Sequence, residues 1–207
     1  MVAYATDDDE TYDVVFYDDT ILTTVTADPD TVSDWISDIM QIHRYRLNRL
    51  IVGLDVEWRP CYIPGRRNPV ATVQICVGRR CLIYQIIYTD YFPQYLIDFL
   101  SDENFTFVGV DVQSDLDKLD NDYGIGGNAH AVDLRMLAAD AYDRQDLNRA
   151  GLKTLANFVL GKEMEKPEGV RRSNWARRWL TDEQVDYACV DAFVSFEIGR
   201  VLKAYNY

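Results

Sequence analysis

The sequence predicts an α/β domain built on one mixed β-sheet with helices on both faces. Two observations lead there. Residues 50–54 are an unbroken apolar run rich in branched side chains, the pattern of a strand covered on both faces, and residues 105–112 read as a second apolar strand. Strand-like segments crowd the first half of the chain, and helical periodicity is interleaved with them and then takes over. A length of 207 residues, 48% of them hydrophobic, suffices for one full-sized core. Residues 1–207 are therefore read as one domain, an acidic hairpin and helix over 1–48 and a core over 49–207.

Taken in order, residues 11–16 and 21–26 read as a β-hairpin over an Asp18-Asp19 turn. Asp28-Pro29-Asp30-Thr31 stops the second strand, and a helix is expected from about Val32, with Trp35, Ile36, Ile39 and Met40 at helical spacing. A strand from Leu50 follows, then a loop over 61–68, where Pro64, Gly65 and two arginines argue against regular structure. Residues 70–77 and 80–87 form two strands joined by a tight turn at Gly78-Arg79. A helix over 91–100 leads to the strand at 105–112 and a short helix over 114–122, closed by Gly124, Gly126 and Gly127. One more strand is expected at 131–134, and helices at 135–141, 151–160 and 182–204.

The net charge of −13 is unevenly spread. The first 40 residues hold eleven acids and no Lys or Arg, which leaves the remainder 23 acids against 21 bases. Bases come in pairs there: Arg66-Arg67, Arg79-Arg80, Arg171-Arg172 and Arg177-Arg178. Such pairs suit phosphates, solvated surface or subunit contacts alike. The four cysteines form no CxxC pair and are expected to be reduced thiols rather than disulfide or zinc ligands. No basic-then-apolar leader and no apolar run of about 20 residues occurs, so a soluble intracellular protein without membrane contact is expected.

The chemistry gathers at three places. Asp55 and Glu57 end the apolar run from Leu50, two residues apart, so both carboxylates project from one face of the strand. Two like charges there suit hard divalent cations, and suit equally a strand emerging into water. Asp115 falls in the first turn of the next helix, where an acid also satisfies the dipole and the free amides; Asp111, four residues earlier, competes for that role. The helix over 182–204 is apolar nearly all round and must be buried, yet it carries Asp191, with Tyr187 one turn earlier on the same face. A buried carboxylate requires a partner. The tyrosine is either core filler or placed to orient or deprotonate a metal-bound water.

Together these residues resemble the DEDD exonucleases of the ribonuclease-H-like fold, in the tyrosine subtype that includes ribonuclease D and the Werner-syndrome exonuclease domain. The motifs that carry the likeness are Asp55-Val-Glu57, the stretch 108–119 around Asp111 and Asp115, Gly151-Leu-Lys-Thr-Leu155, Ser173-Asn174-Trp175, and 180–192 with Tyr187 and Asp191. Asp186 stands where the histidine subtype has its His. The hairpin-first start and the phrases 47–60 and 187–193 are similar to a plant branch that includes exoribonucleases associated with RNA-silencing complexes.

The resemblance implies that Asp55, Glu57, Asp115 and Asp191 hold two Mg²⁺ or Mn²⁺ ions about 4 Å apart. It implies that Tyr187 positions the attacking water and that nucleoside 5′-monophosphates leave one at a time from the 3′ end. Relatives often carry a small residue in place of Asp111, which sets a question for metal binding. The implied substrate is single-stranded RNA, with Trp58, Ser173, Asn174 and Trp175 as substrate contacts and Tyr62 and Trp179 as further candidates for base stacking. A DNA exonuclease of Werner type and a non-catalytic scaffold are the alternatives. A homo-oligomer, Argonaute-type silencing proteins as partners, and a cytoplasmic location with the nucleus also open complete the expectations.

Overall fold

The computed structural model describes residues 9–207. β1 (Glu10–Phe16) and β2 (Asp19–Thr26) form the expected hairpin, but its turn is Tyr17-Asp18, with Phe16 opposite Asp19. A two-residue hairpin turn favours a left-handed first position, a role in which Tyr is uncommon. Tyr17 takes it at φ 55°, held by a tertiary contact in which its hydroxyl accepts from the Glu163 amide at 2.8 Å.

α1 (Pro29–Ile42) starts earlier than the apolar spacing indicates. The tetrad 28–31 that ends β2 also begins the helix: the Asp28 carboxylate accepts from the Thr31 amide at 2.9 Å, and Pro29 sits in the first turn, where its missing N–H costs nothing.

β3 (Leu50–Glu57) is the strand predicted from the apolar run. β4 (Thr72–Val77) and β5 (Arg80–Tyr84) form the tight hairpin over Gly78-Arg79, β5 giving way at Gln85 to a 3-10 turn. α2 (Gln94–Ser101), β6 (Phe105–Gly109), α3 (Val112–Tyr123), β7 (Ala131–Asp133) and α4 (Leu134–Tyr142) follow. β6 ends three residues sooner than predicted because Asp111 adopts φ 64° and turns the chain straight into α3. α5 (Leu152–Leu155) runs into a π turn over Ala156–Leu160, and a short α6 (Glu168–Arg171) precedes α7 (Asp182–Val201).

The seven strands make one mixed sheet in the order β1-β2-β5-β4-β3-β6-β7. β3 pairs antiparallel with β4 and parallel with β6, and β2 joins β5 in parallel. α7 lies on one face. It approaches so closely that a Cβ on Gly53 would stand 2.0 Å from the Ala192 carbonyl, and one on Gly199 would stand 2.9 Å from Val108. On the other face Phe99 of α2 packs against Phe105 and Phe107, with ring centroids 5.0 and 5.8 Å away. Helices thus cover both faces, as the double-sided apolar strands require. All four cysteines are free thiols, three of them buried. Among the described residues no helix is long and apolar enough to cross a membrane.

Candidate active site

Side chains alternate along β3, so Gly53, Asp55 and Glu57 share the face on which α7 lies. The glycine lets the helix backbone reach the sheet, and one turn along the same helix Tyr187 precedes Asp191. A capping box fixes where α7 starts: Thr181 accepts from the Gln184 amide while the Gln184 side chain accepts from the Thr181 amide. Asp115 enters from the first turn of α3. Asp55, Glu57, Asp115, Tyr187 and Asp191 line a single cleft of about 570 Å³, together with Trp58, Tyr62, Lys166 and Arg171.

The electrostatics are those of crowded, desolvated anions. Burial first, then the Asp191 charge, raise the Asp55 carboxyl to about 7. Burial and then Asp55 raise both Glu57 and Asp115. Asp191 is only 2% exposed, and burial raises it too, opposed by Lys166 and by the Tyr187 hydroxyl. Burial draws the Lys166 ammonium down, but Asp191 and then Asp55 outweigh it and hold it above its ordinary value. Its Nζ stands 2.5 Å from Asp191 Oδ2. Burial and then the Asp191 charge push the Tyr187 hydroxyl up.

Asp111 lines the same cleft but is held from α4. Its carboxylate accepts from Arg135 at 2.9 Å, the same guanidinium that grips Asp133, and its remaining influence is a charge that raises Asp115 behind burial and Asp55. It makes no side-chain cap on α3.

Of the residues expected to contact substrate, Trp58 is 38% exposed and opens onto the cleft, while Trp175 is fully buried and offers no face for stacking. The Trp175 indole donates to the Arg171 carbonyl at 3.1 Å and packs 5.9 Å from the Tyr187 ring, so it fixes the tyrosine instead. Ser173 and Asn174 likewise act as a brace: Ser173 Oγ accepts from the Gln184 amide group at 2.8 Å and the Asn174 carbonyl does so at 3.4 Å, anchoring the start of α7. Trp179 is half exposed, Arg178 lies 5.9 Å over its ring, and it is not among the residues lining the cleft. Lys166 was not foreseen. It sits between the π turn and α6 on a segment with no periodicity, and only its place in the fold reveals it.

The donors fit divalent cations. All are hard carboxylate oxygens, and three of the four acids are raised by one another's charge with a single ammonium among them. Asp191 Oδ2 has no hydrogen-bond donor in line despite the nearby ammonium. Among the described residues no three acids converge tightly enough to enclose one ion in this conformation.

A mixed sheet of this order, with acids gathered beside β3, α3 and α7, is the ribonuclease-H-like exonuclease fold. Ribonuclease D of Escherichia coli superposes with a TM-score of 0.69 at 18% identity, over 87% of this chain and 44% of that one. The Nibbler EXO domain of Aedes aegypti matches with the same TM-score and identity over 87% of each chain. The chain belongs to the 3′-5′ exonuclease family, whose profile matches residues 24–204 and whose members are phosphodiester hydrolases. It is 35% identical over 156 residues to a 3′-5′ exonuclease of Arabidopsis thaliana, covering 73% of this chain and 52% of the relative. It is 34% identical over 153 residues to the bifunctional 3′-5′ exonuclease/ATP-dependent helicase WRN of Mus musculus, covering 73% of this chain and 11% of that protein. The chain thus spans about half the length of the first relative and about a tenth of the second.

Proposed function

We propose that this chain is a metal-dependent 3′-to-5′ exonuclease that trims single-stranded nucleic acid, RNA by preference, to nucleoside 5′-monophosphates. The convergence of Asp55, Glu57, Asp115 and Asp191 with Tyr187 in one cleft carries the proposal. The four acids would hold two Mg²⁺ or Mn²⁺ ions. Such ions, when bound, supply Lewis-acid stabilisation of phosphate charge and acidify water. Tyr187, kept protonated by burial and by Asp191, orients the water, and Trp175 holds the ring in place. A cavity of about 380 Å³ continues from Asp55 and Lys166 past Gly151, Leu152 and Ser195 and suits the terminal nucleotide. Arg171 and Lys153 line it and would meet the phosphate.

The preference for RNA rests on the likeness of residues 47–60 and 187–193 to the plant exoribonuclease branch. That likeness also supports a silencing context with Argonaute-type partners and a cytoplasmic location; a homo-oligomer, which would enlarge the groove with arginines of one subunit reaching a neighbour's site, is tested by a sedimentation profile at working concentration. The similarity to WRN supports a second reading, in which recessed DNA 3′ ends are the substrate. A time course on matched 5′-labelled RNA and DNA with Mg²⁺, beside a chelator control and Asp55→Ala, separates the two. A descending ladder on RNA that both controls abolish is the expected result. A ladder chiefly on DNA transfers the protein to the second reading, and no ladder on either refutes catalysis.

A further inference from the structure

The stretch from Trp58 to Thr89 carries five arginines and no acid, in a chain whose net charge is −13. Three of them, Arg59, Arg66 and Arg67, lie on the irregular segment between β3 and β4. This segment is bound to α3 rather than left loose. Lys118 Nζ donates to the Asn68 carbonyl at 2.9 Å, the Tyr123 hydroxyl to the Val70 carbonyl at 2.6 Å, and the Asn68 amide to the Arg59 carbonyl at 2.8 Å. Between the segment and α3 lies a second cavity, of about 480 Å³, lined by Arg66, Arg67, Lys118 and Asn121 and separate from the catalytic cleft. Trp58 belongs to the walls of both.

The charges in this cavity are not matched. Three cations face two carboxylates: Asp122 is paired with Lys118 and also accepts from the Val70 amide, both at 2.8 Å, and Asp117 accepts from the neutral Gln113 side-chain amide at 2.8 Å. Neither Arg66 nor Arg67 has an acidic partner among the described residues. Two unpaired guanidiniums beside an exposed indole and the 80% exposed Tyr62 are the elements with which proteins hold a single strand, cations on the phosphates and aromatic faces under the bases. This cavity is joined to the catalytic cleft through the Trp58 indole, whereas the smaller one behind Asp55 is joined through Asp55, Val110, Lys166 and Arg171.

We infer that the cavity at Arg66, Arg67 and Trp58 is the track along which the strand 5′ of the scissile bond leaves the active centre. The ligand class is a single-stranded polynucleotide backbone, and the inference rests on the exonuclease reading. The base on the 5′ side of the scissile phosphate lies on Trp58, and the two arginines take the phosphates beyond it. Guanidinium is suited to this place because it binds phosphate oxygens in pairs and stacks without losing charge.

The test is the binding of a labelled trinucleotide and a labelled dodecanucleotide to the full chain, with Ca²⁺ as the only divalent ion, over a series of salt concentrations. Wild type is expected to bind the dodecamer at least about tenfold more tightly than the trimer, through the added phosphate contacts. Arg66→Ala/Arg67→Ala is expected to reduce dodecamer affinity to that of the trimer and to flatten the slope of log K against log salt by about 1.4, two phosphates' worth on a single strand. Arg66→Lys/Arg67→Lys restores most of the slope, which a misfolded loop would not allow. A double alanine variant that keeps wild-type dodecamer affinity and slope overturns the track, as does a wild type that binds both lengths equally; in either case the exonuclease reading stands. A wild type that binds neither length overturns both.

Discussion

The Lys166 ammonium stands 2.5 Å from Asp191 Oδ2, inside the cleft that also takes Asp55, Glu57 and Asp115. One side-chain cation thus answers the charge that divalent ions would answer, and under the proposed function the two would compete for the same oxygen. Lys166→Met should therefore lower the stability of the chelated protein by about 3 kcal/mol, the cost of leaving a buried carboxylate without its partner. It should also enlarge the rise in melting temperature on adding Mn²⁺. Thermal denaturation with EDTA and with Mn²⁺ measures both, and an unchanged Mn²⁺ increment would show that lysine and metal do not share Asp191.

Tyr187→Phe removes the hydroxyl and keeps the ring against Trp175. A turnover loss of about 100-fold or more is expected, with KM and melting temperature close to wild type. A loss confined to KM would make the tyrosine a binding group.

The acids make stability depend on pH in a definite direction. Burial and mutual repulsion raise their folded-state pKa values, so above the ordinary carboxylate value of about 4 the native state binds more protons than the unfolded chain. With chelator present, their contribution falls as pH rises from about 4 to about 10, as Asp55 titrates at about 7, Asp115 at about 9 and Glu57 at about 10. Urea midpoints across that range should show the decline, with a shallower one for Asp55→Asn. Added Mg²⁺ should oppose it, because ions bind the deprotonated carboxylates. Equal slopes for wild type and variant would contradict the assignment.

Gly53→Ala places a methyl 2.0 Å from the Ala192 carbonyl, a backbone atom that cannot yield without moving α7. A loss of about 3 kcal/mol or more is expected, together with lost activity, since the shift carries Asp191 off β3. Activity at wild-type level in a folded variant would mean that this contact does not set the site.

The parts legible in sequence were those that obey a period. Alternation on β3 put Asp55 and Glu57 on one face, and the all-round apolar pattern of α7 foretold both its burial and the oddity of Asp191. What escaped was set by tertiary contacts. Lys166 lies on an aperiodic segment, so nothing local distinguishes it from a surface lysine. Trp175 has the composition of a stacking residue and the environment of a core one. Asp28 shows how one tetrad can end a strand and cap a helix, two roles with the same residues. The left-handed turn at Tyr17 depends on Glu163, far along the chain.

The close seat of α7 on Gly53 also governs when the cleft can assemble during synthesis of the chain. β3 leaves the ribosome early with its glycine face bare, and the helix that covers it, bearing Tyr187 and Asp191, is made only after every other strand has emerged. No shorter nascent product can hold the full set of acids, so the site is assembled only once residue 191 has been added and α7 has docked.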